Sequence, residues 1–168
     1  MRTTIRFLRP LSVVSVAATG AYEQTIPEAW DFLRGLLTRH GAREACKPVL
    51  ALLHDLPQSV RAQDRRLELC AAVHNEQRFI MRQDATLQTF SGGAHLIQTH
   101  RGPHAALIGL FSSLYASCSL DMNVGLDPTR PRVLIFIGDP LDVPPDELVT
   151  DLCMPIVNRA PDRPRRPM

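Results

Sequence analysis

His54 and Asp55 stand side by side, a base next to a carboxylate, and His95, His100 and His104 fall within ten residues of one another. The first pattern suggests a general base with an orienting acid, the second a set of metal ligands. Neither spacing supports its chemistry. Neighbours on an extended strand point to opposite faces, so Asp55 does not orient His54. Positions 95 and 100 differ by an odd number and cannot meet at one ion without a bulge. We therefore expect neither a metal nor a cofactor. Glu68 and Asp151 each precede a cysteine by two residues, Cys70 and Cys153. With Cys46 and Cys118 these cysteines form no C-x-x-C pair, the pattern of a reduced, cytoplasmic chain in which thiols act as small core hydrophobes.

The elements that must position these residues come in two copies. Ile135 to Pro140 reads as a strand and a Gly-Asp-Pro turn, and Asp151 to Val157 as a second strand. Ala51 to Pro57 and Arg66 to Val73 echo them. Setting Asp55 on Asp139 leaves the two cysteine-containing strands one residue out of register. Ser15 to Tyr22 likewise matches Leu96 to His104, each a strand running into a glycine, with one residue of slack. Expected strands are 3–8, 12–18, 48–54 and 66–73 in the first half, and 86–90, 94–100, 132–137 and 148–157 in the second. The first helix is read from Thr25 and Glu28, which have capping-box spacing with Pro27 in the first turn, to Gly41. Trp30, Phe32, Leu33, Leu36 and Leu37 form its apolar side. The second is read over 103–118, where Leu107, Leu110, Phe111, Leu114, Tyr115 and Cys118 keep helical spacing. The expected fold is α+β: tandem pseudo-two-fold β-β-α-β-β repeats, an antiparallel sheet with two helices and a central pocket. Residues 1–158 form one domain, with repeats at about 3–75 and 84–158, and residues 159–168 a flexible Arg/Pro tail.

A chain of 168 residues with 45% hydrophobic and 21% charged residues is long enough for one core and lacks a run suited to a membrane span. Its net charge of +2 gives no reason to expect nucleic acid. Arg2, Arg6 and Arg9 ahead of Leu11 to Ala18 superficially resemble a secretory signal. Pro10 splits that segment, and its match in the second half argues that it is retained. The second helix carries no charge between His104 and Asp121, and its outer face is Gly109, Ser112, Ser113, Ala116 and Ser117. Small residues allow close approach, so a homodimer through helix 103–118 is expected, against the alternative of a plain surface.

Together the duplicated layout, the strand-glycine-helix junctions, the Asp139-Pro140 turn, Pro144 to Leu148 and Asp151-Leu152-Cys153-Met154-Pro155 resemble the GyrI-like small-molecule-binding domain. That domain is the effector-binding unit of AraC-type and MerR-type transcription activators. The resemblance runs from about Ile5 to Val157 and is most specific in the last third. It implies a duplicated fold of SHS2 type with a pocket between the repeats for flat, often cationic, drug-like molecules. With no helix-turn-helix in the sequence, the expectation is a stand-alone binding protein with no direct nucleic-acid or membrane contact. The resemblance also admits two other roles, hydrolysis of cyclopropane-bearing genotoxins and modulation of DNA gyrase by contact.

Members of that family that bind cations or hydrolyse cyclopropanes carry a glutamate where this chain has Leu134. A carboxylate in an apolar pocket attracts a cation or acts as a proton donor with a raised pKa. Leucine does neither, so a neutral or weakly polar aromatic ligand is expected and catalysis is marked down. Period-2 alternation puts Leu134 and Phe136 on one face, and Leu50, Leu52 and His54 on what the Asp55–Asp139 alignment makes the matching face. Which face lines the pocket stays open. Trp30 is either core or a stacking wall for a planar ligand. Tyr22 and His104 occupy the junctions where the family has Gly-Pro-Tyr, as ligand handles or as helix caps. Glu68 is the one carboxylate placed to replace the missing glutamate. Tyr115 completes the candidate site.

Overall fold

A computed structural model describes residues 2–56, 58–74, 85–121 and 124–158. The expected tail at 159–168 and the side chains of Ser117 and Cys118 lie outside the described residues. The elements are β1 (Thr3–Leu8), β2 (Leu11–Thr19), α1 (Tyr22–Arg39), β3 (Val49–Leu53), β4 (Arg66–Ala72), β5 (Thr86–Phe90), β6 (Gly93–Arg101), α2 (Leu107–Asp121), β7 (Val124–Leu126), β8 (Arg132–Ile137) and β9 (Val149–Asn158). None of these helices is long and apolar enough to cross a membrane.

The strands form one antiparallel sheet in the order β1-β6-β9-β8-β3-β4-β2-β5, with β7 paired to β9. Exchanging the two repeats reverses this order onto itself, so the pseudo-dyad passes between β3 and β8. Those two strands pair from Val49 with Phe136 to Leu53 with Arg132. The junctions ahead of the helices show the same symmetry. Gly20 donates its N–H to Arg65 O at 2.9 Å, and Gly102 donates to Leu148 O at 2.8 Å.

β1 and β5 are exchanged between the repeats: β1 pairs with β6 and β5 with β2. Only Arg9 and Pro10 join β1 to β2, which lie near opposite ends of the strand order, and only Ser91 and Gly92 join β5 to β6. Two residues reach no more than about 10 Å between their flanking strands. The sheet must therefore curl until its ends meet. Gly92 records that meeting. It adopts φ +68°, and a Cβ there would strike the carbonyl of Leu8 and the backbone of Arg9.

The curl divides the apolar residues. Val14, Ala51, Leu53, Leu69, Ala71, Leu96, Leu134, Phe136, Leu152 and Met154 share one cluster with Ile26, Trp30, Leu33, Leu36, Leu37, Phe111 and Leu114 of the two helices. Val13, Leu50, Leu52, Cys70, Phe90, Ile97, Val133 and Cys153 form the other, inside the curl. α1 covers β2 and β4, and α2 sits over β7 and β9.

Several expectations need correction. α1 starts at Tyr22, so Thr25 is not an N-cap: its Oγ1 donates back to Ala21 O at 3.2 Å, and Pro27 stands inside the helix. The positive φ of Gly20 breaks the strand early enough for a full turn before Pro27. Phe32 is 57% exposed, two positions on from Trp30 and so on the wet side. The segment before α2 is a 3-10 turn, His104–Ala106. β7 was not anticipated, being three residues long with Gly125 in the middle.

The largest correction concerns faces. Leu134 and Phe136 point to the helices, whereas Leu50 and Leu52 point into the curl with Glu68's neighbour Cys70. The residues matching Leu134 and Phe136 are Ala51 and Leu53. The two turns are equally long, with Asp55 standing opposite Gly138 and Leu56 opposite Asp139, so aligning the two acids slips the strand by one and inverts its faces. Alignment on Cys70 and Cys153 gives the correct match.

Candidate ligand-binding cleft

The lower end of the β3–β8 pair, between the helices and the β3–β4 connection, is where the structure is open. Arg132, Leu134 and Phe136 alternate along the helix-facing side of β8, with Arg132 at its start and opposite Leu53. Leu134 is 1% exposed and lines none of the cavities described below; with Phe136 it fills the centre of the cleft, where the pocket was expected. The Trp30 ring meets Phe136 edge-on at 5.4 Å between centroids, and His104 lies 5.2 Å from Phe136 on another side.

Two cavities and a smaller third surround that plug. The first, of about 370 Å³, lies between α2 and the β3–β4 connection, lined by Leu56, Gln58, Phe111, Ser112, Tyr115 and Arg132. Gln58 Nε2 donates to Ser112 Oγ at 2.6 Å and bridges its walls. The second, of about 390 Å³, shares Leu56, Tyr115 and Arg132 with the first and extends past His54, Asp55, Asp127, Arg130 and Met154. The third, of about 190 Å³, sits at the opposite end of the cleft among Ile26, Pro27, Trp30, His104, Pro140 and Leu148.

Burial and pairing set the electrostatics. Asp55 accepts from Arg66 Nε at 3.0 Å, Nη2 at 2.9 Å and the backbone N–H at 2.8 Å, which holds its pKa below the usual carboxylate range. Asp127 accepts from Thr129 and from Arg130 Nε and is lowered to about 2. Both acids are therefore ionised and neutralised. Burial is the main force that keeps His104 and His95 deprotonated, lowering both. Arg132 is half-buried, and desolvation lowers its pKa; Tyr22 and Tyr115 are the groups it feels. No carboxylate lies within ion-pair distance of Arg132 among the described residues.

The sequence-derived candidates thus scatter. Tyr115 lines both larger cavities, and His54 the second. Trp30 and His104 line the third, each with a buried nitrogen, Nε1 and Nε2, that has no hydrogen-bond partner among the described residues. Tyr22 is fully buried; its hydroxyl donates to Asp55 O at 2.9 Å and accepts from the Asp55 N–H at 3.2 Å, so it ties α1 to the end of β3. Leu52 and Glu68 line a separate recess on the curl side with His54 and Gln88, while Leu50 is buried in that side's core. His54 Nε2 lies 2.9 Å from Glu68 Oε2. Glu68 therefore does not restore a carboxylate to the helix side.

Arg132 is the residue that sequence reading missed. It lies in the expected strand 132–137 and shares the face of Leu134 by simple alternation, but the pocket candidates on that strand were only Leu134 and Phe136. Asp139 also has a different role from its counterpart Asp55. It takes Arg43 at 2.8 Å and, with Asp142, binds Arg34 and Arg43, clamping the β8–β9 turn to α1 and the loop after it.

A curled, duplicated antiparallel sheet with two helices on one face and openings between them defines a ligand-binding α+β domain. Over residues 1–157 the sequence matches the GyrI-like small molecule binding domain, and the chain belongs to that family. Solved structures agree on the fold. The EcmrR C-terminal domain is similar at a TM-score of 0.71 and 14% identity, over 94% of this chain and 98% of that one. SAV2435, solved bound to tetraphenylphosphonium, gives 0.61 and 12% over 94% of both chains. A hydrolase from Listeria innocua gives 0.64 and 13% over 93% and 92%. A comparison with curated proteins finds no match.

Proposed function

We propose that this chain binds a small, largely apolar aromatic molecule, held in the cavity between α2 and the β3–β4 connection. The observation that carries this reading is the 370 Å³ opening walled by Phe111, Tyr115 and Leu56, of a size and lining suited to a compact aromatic ligand. Membership of a small-molecule-binding family supports it, as does the SAV2435 neighbour solved with an aromatic ligand. The ligand need not be a cation, because Asp55 and Asp127, the carboxylates that line the two larger cavities, are each paired with an arginine.

Hydrolysis is the weaker reading. It needs an acid that holds a proton near neutral pH, whereas Asp55 and Asp127, which line the second cavity, are both lowered by their arginines. Gyrase contact would use an outer surface and is tested separately by a supercoiling assay. A cytoplasmic location, and pairing of two copies through the exposed Gly109, Ser113 and Ala116 of α2, belong to the same proposal.

The test is calorimetric titration of the full chain with planar aromatic compounds, together with Ser112→Trp. Ser112 is exposed at the cavity wall, so a tryptophan there fills the opening without disturbing the core. We expect binding by the native chain and loss of about tenfold or more in the variant. Equal binding by both would move the ligand elsewhere, and no binding by the native chain would end the reading.

A further inference from the structure

We infer that the cavity under α2 selects an anionic ligand: an aromatic carboxylate or similar oxyanion whose ring packs on Phe111 and Tyr115 and whose head is gripped by Arg132. This rests on the binding reading above and specifies its ligand class.

The charge balance of the two joined cavities points this way. Asp55 is satisfied by Arg66, Asp127 by Arg130, and His54 faces Glu68. Once these pairs are set aside, Arg132 is the unmatched charge among the described lining residues. Its side chain is half-buried and finds no acceptor among the described residues, and the titratable groups near it are the phenols of Tyr22 and Tyr115. A desolvated guanidinium without an acceptor loses hydration and gains nothing in return. A carboxylate would restore that loss with two parallel N–H···O bonds, the geometry for which the guanidinium fork is built. The position is suited to it. Arg132 belongs to both cavities, so its head group reaches either opening, while the apolar walls sit in the first.

Arg130 offers no such site, although it is the other arginine here. Its Nη1 donates to Gly92 O, its Nη2 to Ala94 O and Ile156 O, and its Nε to Asp127. It is spent on holding strand ends together.

The experiment is calorimetric titration of the full chain with 2-naphthoate, 2-naphthamide and 2-naphthylmethylammonium, which share a ring and differ in charge. We expect the carboxylate to bind about tenfold or more tighter than the amide, as charge-assisted hydrogen bonds allow, and the ammonium to bind weakest. Arg132→Gln should bring the carboxylate-to-amide ratio close to one, and Arg132→Lys, which keeps the charge but loses the fork, should leave it between the two. Thermal unfolding checks that each variant folds. If the glutamine variant does not, a lysine variant with the native ratio overturns the inference. Equal binding of amide and carboxylate by the native chain, or tighter binding of the ammonium, overturns the anion preference while leaving the cavity as the binding site. Failure of all three probes removes the binding reading and this inference with it.

Discussion

His104 and His95 are imidazoles held neutral by burial, and each makes stability depend on acid. His104 sits against the Phe136 ring, and His95 has its Nδ1 2.8 Å from Gly93 O. Both have a pKa lowered below the ordinary 6.5. Below about 6.5 the unfolded chain takes up a proton at each site that the folded chain resists. Their stabilising contribution is therefore complete above that pH and declines as pH falls from it towards the folded-state values. We expect the urea midpoint to drop between pH 7.5 and pH 5.5, and to drop less in His104→Gln. Asp55 and Asp127 do not interfere, because carboxylates held this low titrate below that window. A midpoint flat across it in the native chain would contradict the assignment.

Among the elements, the β3–β4 connection shows how one carboxylate can fix a turn. Asp55 gathers three N–H groups of Arg66, while Tyr22 holds the same residue through its backbone. Asp55→Asn leaves the Tyr22 contacts intact and isolates the loss of charge. We expect it to destabilise the fold by about 2 kcal/mol, the range for hydrogen bonds to a buried charge. The deficit should be full at neutral pH and should vanish as pH falls through the native aspartate's lowered pKa, when the native chain loses its charge too. Chemical denaturation at pH 7 and at successive steps below pH 4 measures both.

The same connection explains what the sequence could and could not convey. Strands 3–8, 86–90 and 132–137 were legible to the residue because β-branched and apolar runs end there at a proline, a glycine or an arginine. The duplication was legible too, since both halves repeat a strand, glycine and helix. The pairing was not. Nothing local in β1 says that it joins β6 and not β2, because that choice depends on how the whole sheet curls. The faces were lost because the aspartates of the two turns, Asp55 and Asp139, do not occupy equivalent positions, and the site was lost with them. Leu50, Leu52 and Glu68 went to the curl side, and Arg132 was overlooked at the foot of a strand whose other residues were read correctly. A binding site assembled from several elements inherits every error of register.

Across the whole molecule, the exposed part of α2 raises the question of association. Gly109, Ser113 and Ala116 are small and solvent-facing, and no charge interrupts the helix. Two copies could approach closely there, as small residues permit. Size-exclusion chromatography with light scattering should then give about twice the 18.7 kDa of one chain, and Ala116→Arg should return it to a monomer. A native chain that runs as a monomer at all concentrations would contradict this.

The crossing of the β1–β2 and β5–β6 connections reaches further than the local contact at Gly92. Each repeat lends its outermost strand to the other, so neither half can close its share of the sheet when separated from its twin. The cavity under α2 has the same dependence, taking Leu56 and Gln58 from one half and Phe111, Tyr115 and Arg132 from the other. Evolution of such a molecule after duplication is constrained in an unusual way. A change that suits one copy is felt immediately by its sibling, and a lone ancestral half would have needed a second copy of itself to be complete. The present chain is, in that sense, a strand-exchanged dimer made permanent by a peptide link, and its binding cavity belongs to the partnership.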